Sequence, residues 1–121
     1  MPALILNGTK DPLNPYEGGP VSLFGFGNRG TVRSSLESAR FFASQDGYEE
    51  KGPVTLFADR SVPVQVRQWN KDGKPRVILY SLMGGGHVIP QPVYRAPRFL
   101  GPNAPQFNGP EAIWAFFEKQ L

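Results

Sequence analysis

A chain of 121 residues falls within the span of one domain and is long enough to bury a core, and 40% hydrophobic with 19% charged residues is an ordinary globular balance. Its 13 Lys and Arg against 10 Asp and Glu leave a net charge of +3, but the basic residues (Lys10, Arg29, Arg40, Arg67, Arg76, Arg98) are scattered and no aromatics alternate with them, which argues against a nucleic-acid footprint. The lack of cysteine excludes a disulfide framework and thiolate chemistry, and no stretch approaches the roughly 20 apolar residues that a membrane span needs.

Met1-Pro2 leads straight into Ala3-Leu4-Ile5-Leu6, with no signal peptide before it. A domain that opens on a buried strand reads like the continuation of something longer. Ala3 to Asn7 is a continuous apolar run closed by Asn7-Gly8, the pattern of a strand buried on both faces of a parallel sheet. Beyond its carboxyl end lie Thr9-Lys10-Asp11-Pro12, and in open α/β sheets the working residues gather beyond the carboxyl ends of strands. Residues 12–31 read as a long loop rich in Gly, Pro and Asn, packed by Tyr16, Phe24 and Phe26, with linker disorder as the alternative.

A helix is predicted to open at Ser34 or Ser35. Ser34-x-x-Glu37 fits a capping box, Leu36, Ala39, Phe42 and Ala43 make a buried stripe, and Gly47 ends it. Pro53 to Ala58 is a less well marked strand. Val62 to Trp69 alternates, with Val62, Val64 and Val66 on one side and Gln65 and Arg67 on the other. Asn70-Lys71-Asp72-Gly73-Lys74 is turn chemistry and Arg76 to Leu82 is a strong strand, so residues 62–82 are predicted to form a β-hairpin. Residues 90–110 form a second Pro-rich loop. Gly109-Pro110-Glu111 starts a last helix whose Trp114, Phe117 and Leu121 share one face, flanked by Ile113 and Phe116.

His87 is the only histidine, and it follows a predicted strand and Gly84-Gly85-Gly86. Glycines there let the backbone turn sharply and approach its neighbours, so His87 can project from the carboxyl edge of a sheet. The alternative is a plain turn with an ordinary loop histidine. Asp11 also follows a predicted strand, although Asp-Pro is common turn chemistry. The pair says more than either residue, because a carboxylate bonded to Nδ1 of a histidine fixes its tautomer and stabilises the imidazolium. In α/β-hydrolases the chain order is Ser, then acid, then His, and Asp11 precedes His87 with a helix and a hairpin between them.

The nucleophile of that order belongs in a Gly-x-Ser-x-Gly elbow, and none of Ser22, Ser34, Ser35, Ser38, Ser44, Ser61 or Ser81 lies in one. One histidine without cysteine does not make a usual zinc site. Gly25-Phe26-Gly27-Asn28-Arg29-Gly30 spells G-x-G-x-x-G, but it follows no clear strand and opens no immediate helix, so it reads as loop glycine. Glycosidase chemistry would have Asp11 as one acid and no evident partner.

The run Leu4-Ile5-Leu6-Asn7-Gly8-Thr9-Lys10-Asp11-Pro12-Leu13-Asn14-Pro15-Tyr16-Glu17-Gly18-Gly19 resembles the C-terminal half of the polyhydroxybutyrate depolymerase and feruloyl esterase-like α/β-hydrolases. Gly30-Thr31-Val32, Val77-Ile78-Leu79-Tyr80 and Gly84-Gly85-Gly86-His87 follow in the same order. The resemblance implies an α/β fold that is the C-terminal portion of a hydrolase sheet: strand, long loop, helix, hairpin, active-site loop, helix. It implies Asp11 as the triad acid and His87 as the base in hydrolysis of an aryl (feruloyl) or polyester-type carboxylic ester, through an acyl-serine and without a cofactor. The serine and the oxyanion hole would come from an N-terminal segment, so the chain alone would be inactive. Relatives are often exported, which leaves the compartment open. Many relatives carry an aromatic shortly after the histidine, where this sequence reads His87-Val88-Ile89-Pro90, so the resemblance supplies no aromatic wall for the acyl pocket.

Half a parallel sheet would leave residues 3–7 as an open edge, expected to pair with an N-terminal hydrolase half or to self-associate. Two rival readings stand beside this one. In the first, Tyr16, Phe24, Phe26, Tyr94 and Phe99 form a non-enzymatic binding or interaction module; in the second, the chain is a truncated product with no function of its own.

Overall fold

The computed structural model describes residues 2–21, 30–45, 47–93 and 97–121. The elements run β1 (Ala3–Gly8), β2 (Gly19–Pro20), β3 (Thr31–Val32), α1 (Ser35–Ser44), β4 (Glu49–Leu56), β5 (Val64–Lys71), β6 (Lys74–Leu82), a 3-10 turn (Arg98–Leu100) and α2 (Gly109–Glu118). The result is mixed α/β. One sheet has four strands in the order β1-β6-β5-β4, and β2 and β3 make a small antiparallel ribbon inside what the sequence suggested was continuous loop.

The expected half of a parallel sheet is corrected to a mixed one. Only β1 and β6 are parallel, in register from Ala3↔Val77 to Gly8↔Leu82, while β6, β5 and β4 are antiparallel. The turn between β5 and β6 explains the change of direction. Lys71 pairs with Lys74 across a two-residue loop whose residues both have positive φ, 55° at Asp72 and 73° at Gly73. That backbone matches the right-handed twist of a hairpin, and two residues are too few to cross over to a parallel strand. β1 lies at the sheet edge, with β6 as its neighbour on one side.

Alternation along β6 divides the core. Val77 and Leu79 pack with Trp69 of β5 and with Ala39 and Ala43 of α1. Leu82 turns the other way, onto Val62, Val64, Ala104 and Phe107, with Tyr80 and Leu6 partly buried beside it. Two apolar clusters therefore sandwich the sheet, one under α1 and one under residues 104–112. The α1 N-terminus is built as the capping box predicts, with Ser34 Oγ accepting from the Glu37 N–H at 3.1 Å. Past the C-cap Gln45, Gly47 takes the left-handed conformation at φ 65°.

β4 begins at Glu49 and not at Pro53, and all eight of its residues are exposed. An edge strand with no buried face leaves no alternation to read. Its ladder shifts register between Lys51 and Val54, where Pro53 has no N–H to donate. Glu50 links this strand to its surroundings, accepting from Arg67 at 3.0 Å and Arg40 of α1 at 3.3 Å. Partial burial pushes the Glu50 carboxyl up, but the hydrogen bonds and charges of Arg67 and Arg40 outweigh it and hold the group below its ordinary 4.5. A carboxylate lowered in the folded state stabilises above its unfolded value, and that contribution is lost as pH falls through the folded value. Glu50→Gln should therefore lower stability slightly near pH 7, and the difference should vanish as pH drops below 4.5, read from urea unfolding at both pH values.

The last helix starts where the sequence placed it, with Asn108 as the missed cap: its side chain accepts from the Glu111 N–H at 3.2 Å. Its buried face is a correction. Phe116 is 3% exposed, whereas Trp114, Phe117 and Leu121 are 65%, 51% and 97% exposed. The apolar arc of α2 is wider than the surface beneath it, so the Gly109–Ala112–Phe116 side is covered and the Trp114 side faces outward. Phe116→Ala should cost about 3–5 kcal/mol and Trp114→Ala no more than about 0.5 kcal/mol in chemical denaturation; equal losses would contradict this orientation.

Candidate active site

The carboxyl ends of β1 and β6 lie side by side because the two strands are parallel neighbours, and each runs directly into a loop that carries one predicted site residue. The loops are laced together. The Thr9 N–H donates to the Leu82 carbonyl and the Lys10 N–H to the Gly85 carbonyl, both at 2.9 Å, while the Gly84 N–H donates to Thr9 Oγ1 at 2.6 Å. Contact is so close that a Cβ on Gly8 would collide with the carbonyls of Gly85 and Gly86. Gly86 is equally confined on its other side, against the Leu100 carbonyl and Gly101. Residues 100–102 buttress this turn, the Pro102 carbonyl accepting from Gly86 N–H at 2.9 Å and the Leu100 carbonyl from His87 N–H at 2.6 Å.

The structure brings Asp11 and His87 together. Asp11 Oδ2 lies 2.8 Å from His87 Nδ1 across 76 residues of sequence. The other carboxylate oxygen, Oδ1, accepts from the Leu13 and Asn14 N–H groups, each at 2.8 Å, in a turn that starts at Asp11-Pro12. The Asp11 side chain is 3% exposed and that of His87 is 49% exposed. A carboxylate is an acceptor only, so Nδ1 carries the proton of a neutral ring and Nε2 is left as the proton acceptor. This is the arrangement in which a buried acid orients a base that remains open to a reactant.

Beside the pair lies an open cleft of about 350 Å³, with walls that include Leu4 and Leu6 of β1, Ile89 and Ile113 of α2. None of the residues lining it carries a hydroxyl or a thiol. Four serines among the described residues have other work: Ser34 caps α1, Ser35 Oγ accepts from the buried Asn7 side chain at 2.9 Å, Ser81 shares a 2.7 Å hydrogen bond with Tyr16, and Ser44 donates to the Phe41 carbonyl at 2.9 Å. Among the described residues, no three His, Cys, Asp or Glu side chains cluster as metal ligands, and no helix is long and apolar enough to cross a membrane.

Comparisons of the chain with family models, curated proteins and solved structures return no match. The chemistry of the site therefore rests on its own atoms. Thr9 and the paired N–H groups of Leu13 and Asn14 are site features that sequence reasoning missed; Thr9 stands two residues before Asp11 in a turn-forming run, which was the available signal. Ser22, Phe24, Phe26, Tyr94 and most of the glycine-rich run at 25–30 lie outside the described residues. Because backbone, not a flexible side chain, meets a Cβ at position 8, Gly8→Ala should cost about 1–3 kcal/mol in urea unfolding and weaken the Asp11–His87 contact in the surviving folded protein.

Proposed function

We propose that this chain is the acid–base half of a serine carboxylic-ester hydrolase built on the C-terminal portion of an α/β-hydrolase sheet. The observation that carries the reading is the 2.8 Å contact between a buried carboxylate and Nδ1 of a half-exposed imidazole. Three further features support it. The acid and the base follow adjacent parallel strands at their carboxyl ends. They occur in the chain order acid, then histidine, that follows the nucleophile in such enzymes. The cleft beside them contains no nucleophile of its own among the described residues.

In this mechanism a serine on a Gly-x-Ser-x-Gly elbow attacks the ester carbonyl as its proton passes to His87 Nε2. The imidazolium is stabilised by Asp11, whose two backbone donors keep the carboxylate fixed. His87 then returns the proton to the leaving alcohol. In the second half-reaction His87 takes a proton from water as the water oxygen attacks the acyl carbonyl, then passes that proton to the departing serine oxygen, releasing the carboxylic acid and restoring the free serine. The serine and the oxyanion N–H groups are supplied by a strand–turn–helix segment that adds to the open edge of β1, or a second copy of the chain covers that edge. The substrate is an aryl (feruloyl) or polyester-type ester, received by a wall that is aliphatic at Ile89, Leu6 and Ile113.

The rival binding-module reading draws less support. Tyr16 is tied to Ser81 by its hydroxyl, and Asp11 and His87 are ordered by one another, which incidental loop residues would not require. The test is hydrolysis of p-nitrophenyl esters. The 121-residue chain alone should show no turnover above buffer. The chain joined to a Gly-x-Ser-x-Gly-bearing hydrolase segment should be active, and His87→Ala should reduce its kcat by at least about 10³-fold. Activity of the chain alone that disappears in His87→Ala would place the nucleophile within it, and a joined protein indifferent to His87→Ala would end the hydrolase reading.

A further inference from the structure

We propose that Thr9 is a positioning residue for the Asp11–His87 pair, its hydroxyl fastening the glycine turn that carries the base to the loop that carries the acid. The catalytic meaning of this role rests on the hydrolase reading, but the coupling itself is a property of the fold.

Met83-Gly84-Gly85-Gly86 contains three consecutive glycines immediately before His87. Such a stretch has no Cβ to pack and the largest conformational freedom to lose, so fixed contacts from outside must hold it. Its far half is tied to residues 100–102 through the N–H groups of Gly86 and His87. Its near half is tied to the acid loop by Lys10 N–H to Gly85 carbonyl and by Gly84 N–H to Thr9 Oγ1. The first of these ties is backbone to backbone, available to any residue with an N–H at position 10. The second depends on a side chain. At 2.6 Å it is the shorter of the two, and it satisfies the Gly84 N–H at a residue whose φ of 84° few side chains tolerate.

Thr9 also donates its own N–H to the Leu82 carbonyl, so one residue grips the last residue of β6 and the first glycine of the turn. Asp11 lies two residues further on. Removing the hydroxyl leaves a half-buried N–H without this acceptor and takes away the one side-chain tie among those that hold the near half of the turn, and the side chain of His87 is 49% exposed, so its direction depends on where this turn places it.

His87 is the only histidine, so ring ¹⁵N shifts in NMR report this one group without assignment ambiguity. In the unmodified chain, neutral His87 should be mainly the Nδ1–H tautomer that Asp11 selects. Thr9→Val, nearly equal in shape and lacking the hydroxyl, should lose that majority in favour of the Nε2–H form while the backbone amide spectrum stays dispersed. Thr9→Ser should restore it. Retention of the Nδ1–H majority in Thr9→Val would overturn the role of Thr9 and leave the acid–base pair standing. An Nε2–H majority in the unmodified chain would instead remove the pair, and the hydrolase reading with it. Should Thr9→Val fail to fold, hydrogen exchange in the unmodified chain decides: protection of the Gly84 amide on a par with β6 amides supports the fastening, and free exchange overturns it.

Discussion

Everything at the candidate site depends on how closely two backbones meet past the ends of β1 and β6. Parallel pairing brings their carboxyl ends to one rim, but pairing alone leaves room for side chains between the loops that follow. Glycine at position 8 removes that room, so the carbonyls of Gly85 and Gly86 sit where a Cβ would be. The acid is three residues beyond Gly8 and the base two beyond Gly85. Over so short a reach, the separation of the two side chains is set by the separation of the two backbones.

The pair is deliberately unequal in its surroundings. A carboxylate taken out of water is expensive unless its lone pairs are filled, and Asp11 fills them with two backbone N–H groups and one imidazole N–H. The imidazole keeps about half its surface in solvent, on the side of an aliphatic cleft. Rigidity is thus concentrated in the acid and access in the base. The buried Asn7–Ser35 and half-buried Tyr16–Ser81 hydrogen bonds extend the same logic behind the site, anchoring the end of β1 to α1 and the loop after Asp11 to β6.

What was legible in the sequence is what local chemistry encodes. Ser34 and Glu37 specify the start of α1, Asp72-Gly73 specifies a hairpin turn, and the Ala3–Asn7 run specifies a strand, although as an edge strand it is only half-buried over Ala3–Leu6 and not buried on both faces as expected. The meeting of Asp11 with His87 was readable because both follow strands that belong to one sheet. The misses share a cause, which is that periodicity records where apolar residues are and not what covers them. Trp114, Phe117 and Leu121 form as regular a stripe as any, yet the buried residue is their neighbour Phe116. β4 has no buried face to announce it, and the β2–β3 ribbon is two residues on each side. The hairpin turn at Asp72-Gly73 was legible, but the expectation of half a parallel sheet took no account of it, so the antiparallel β4–β5–β6 portion went unstated.

The pairing of β1 with β6 also imposes an order of events on the folding chain. β5 and β6 close over a two-residue turn, a local contact that forms at little entropic expense, and β4 can zip onto them from nearby. β1 must wait, because α1, β4 and β5 all lie between it and its partner, and closing so long a loop is the slowest kind of contact. Acid and base are therefore strangers throughout early synthesis. Whatever reactivity their meeting confers is withheld until the intervening helix and hairpin have been made, an order written into topology alone.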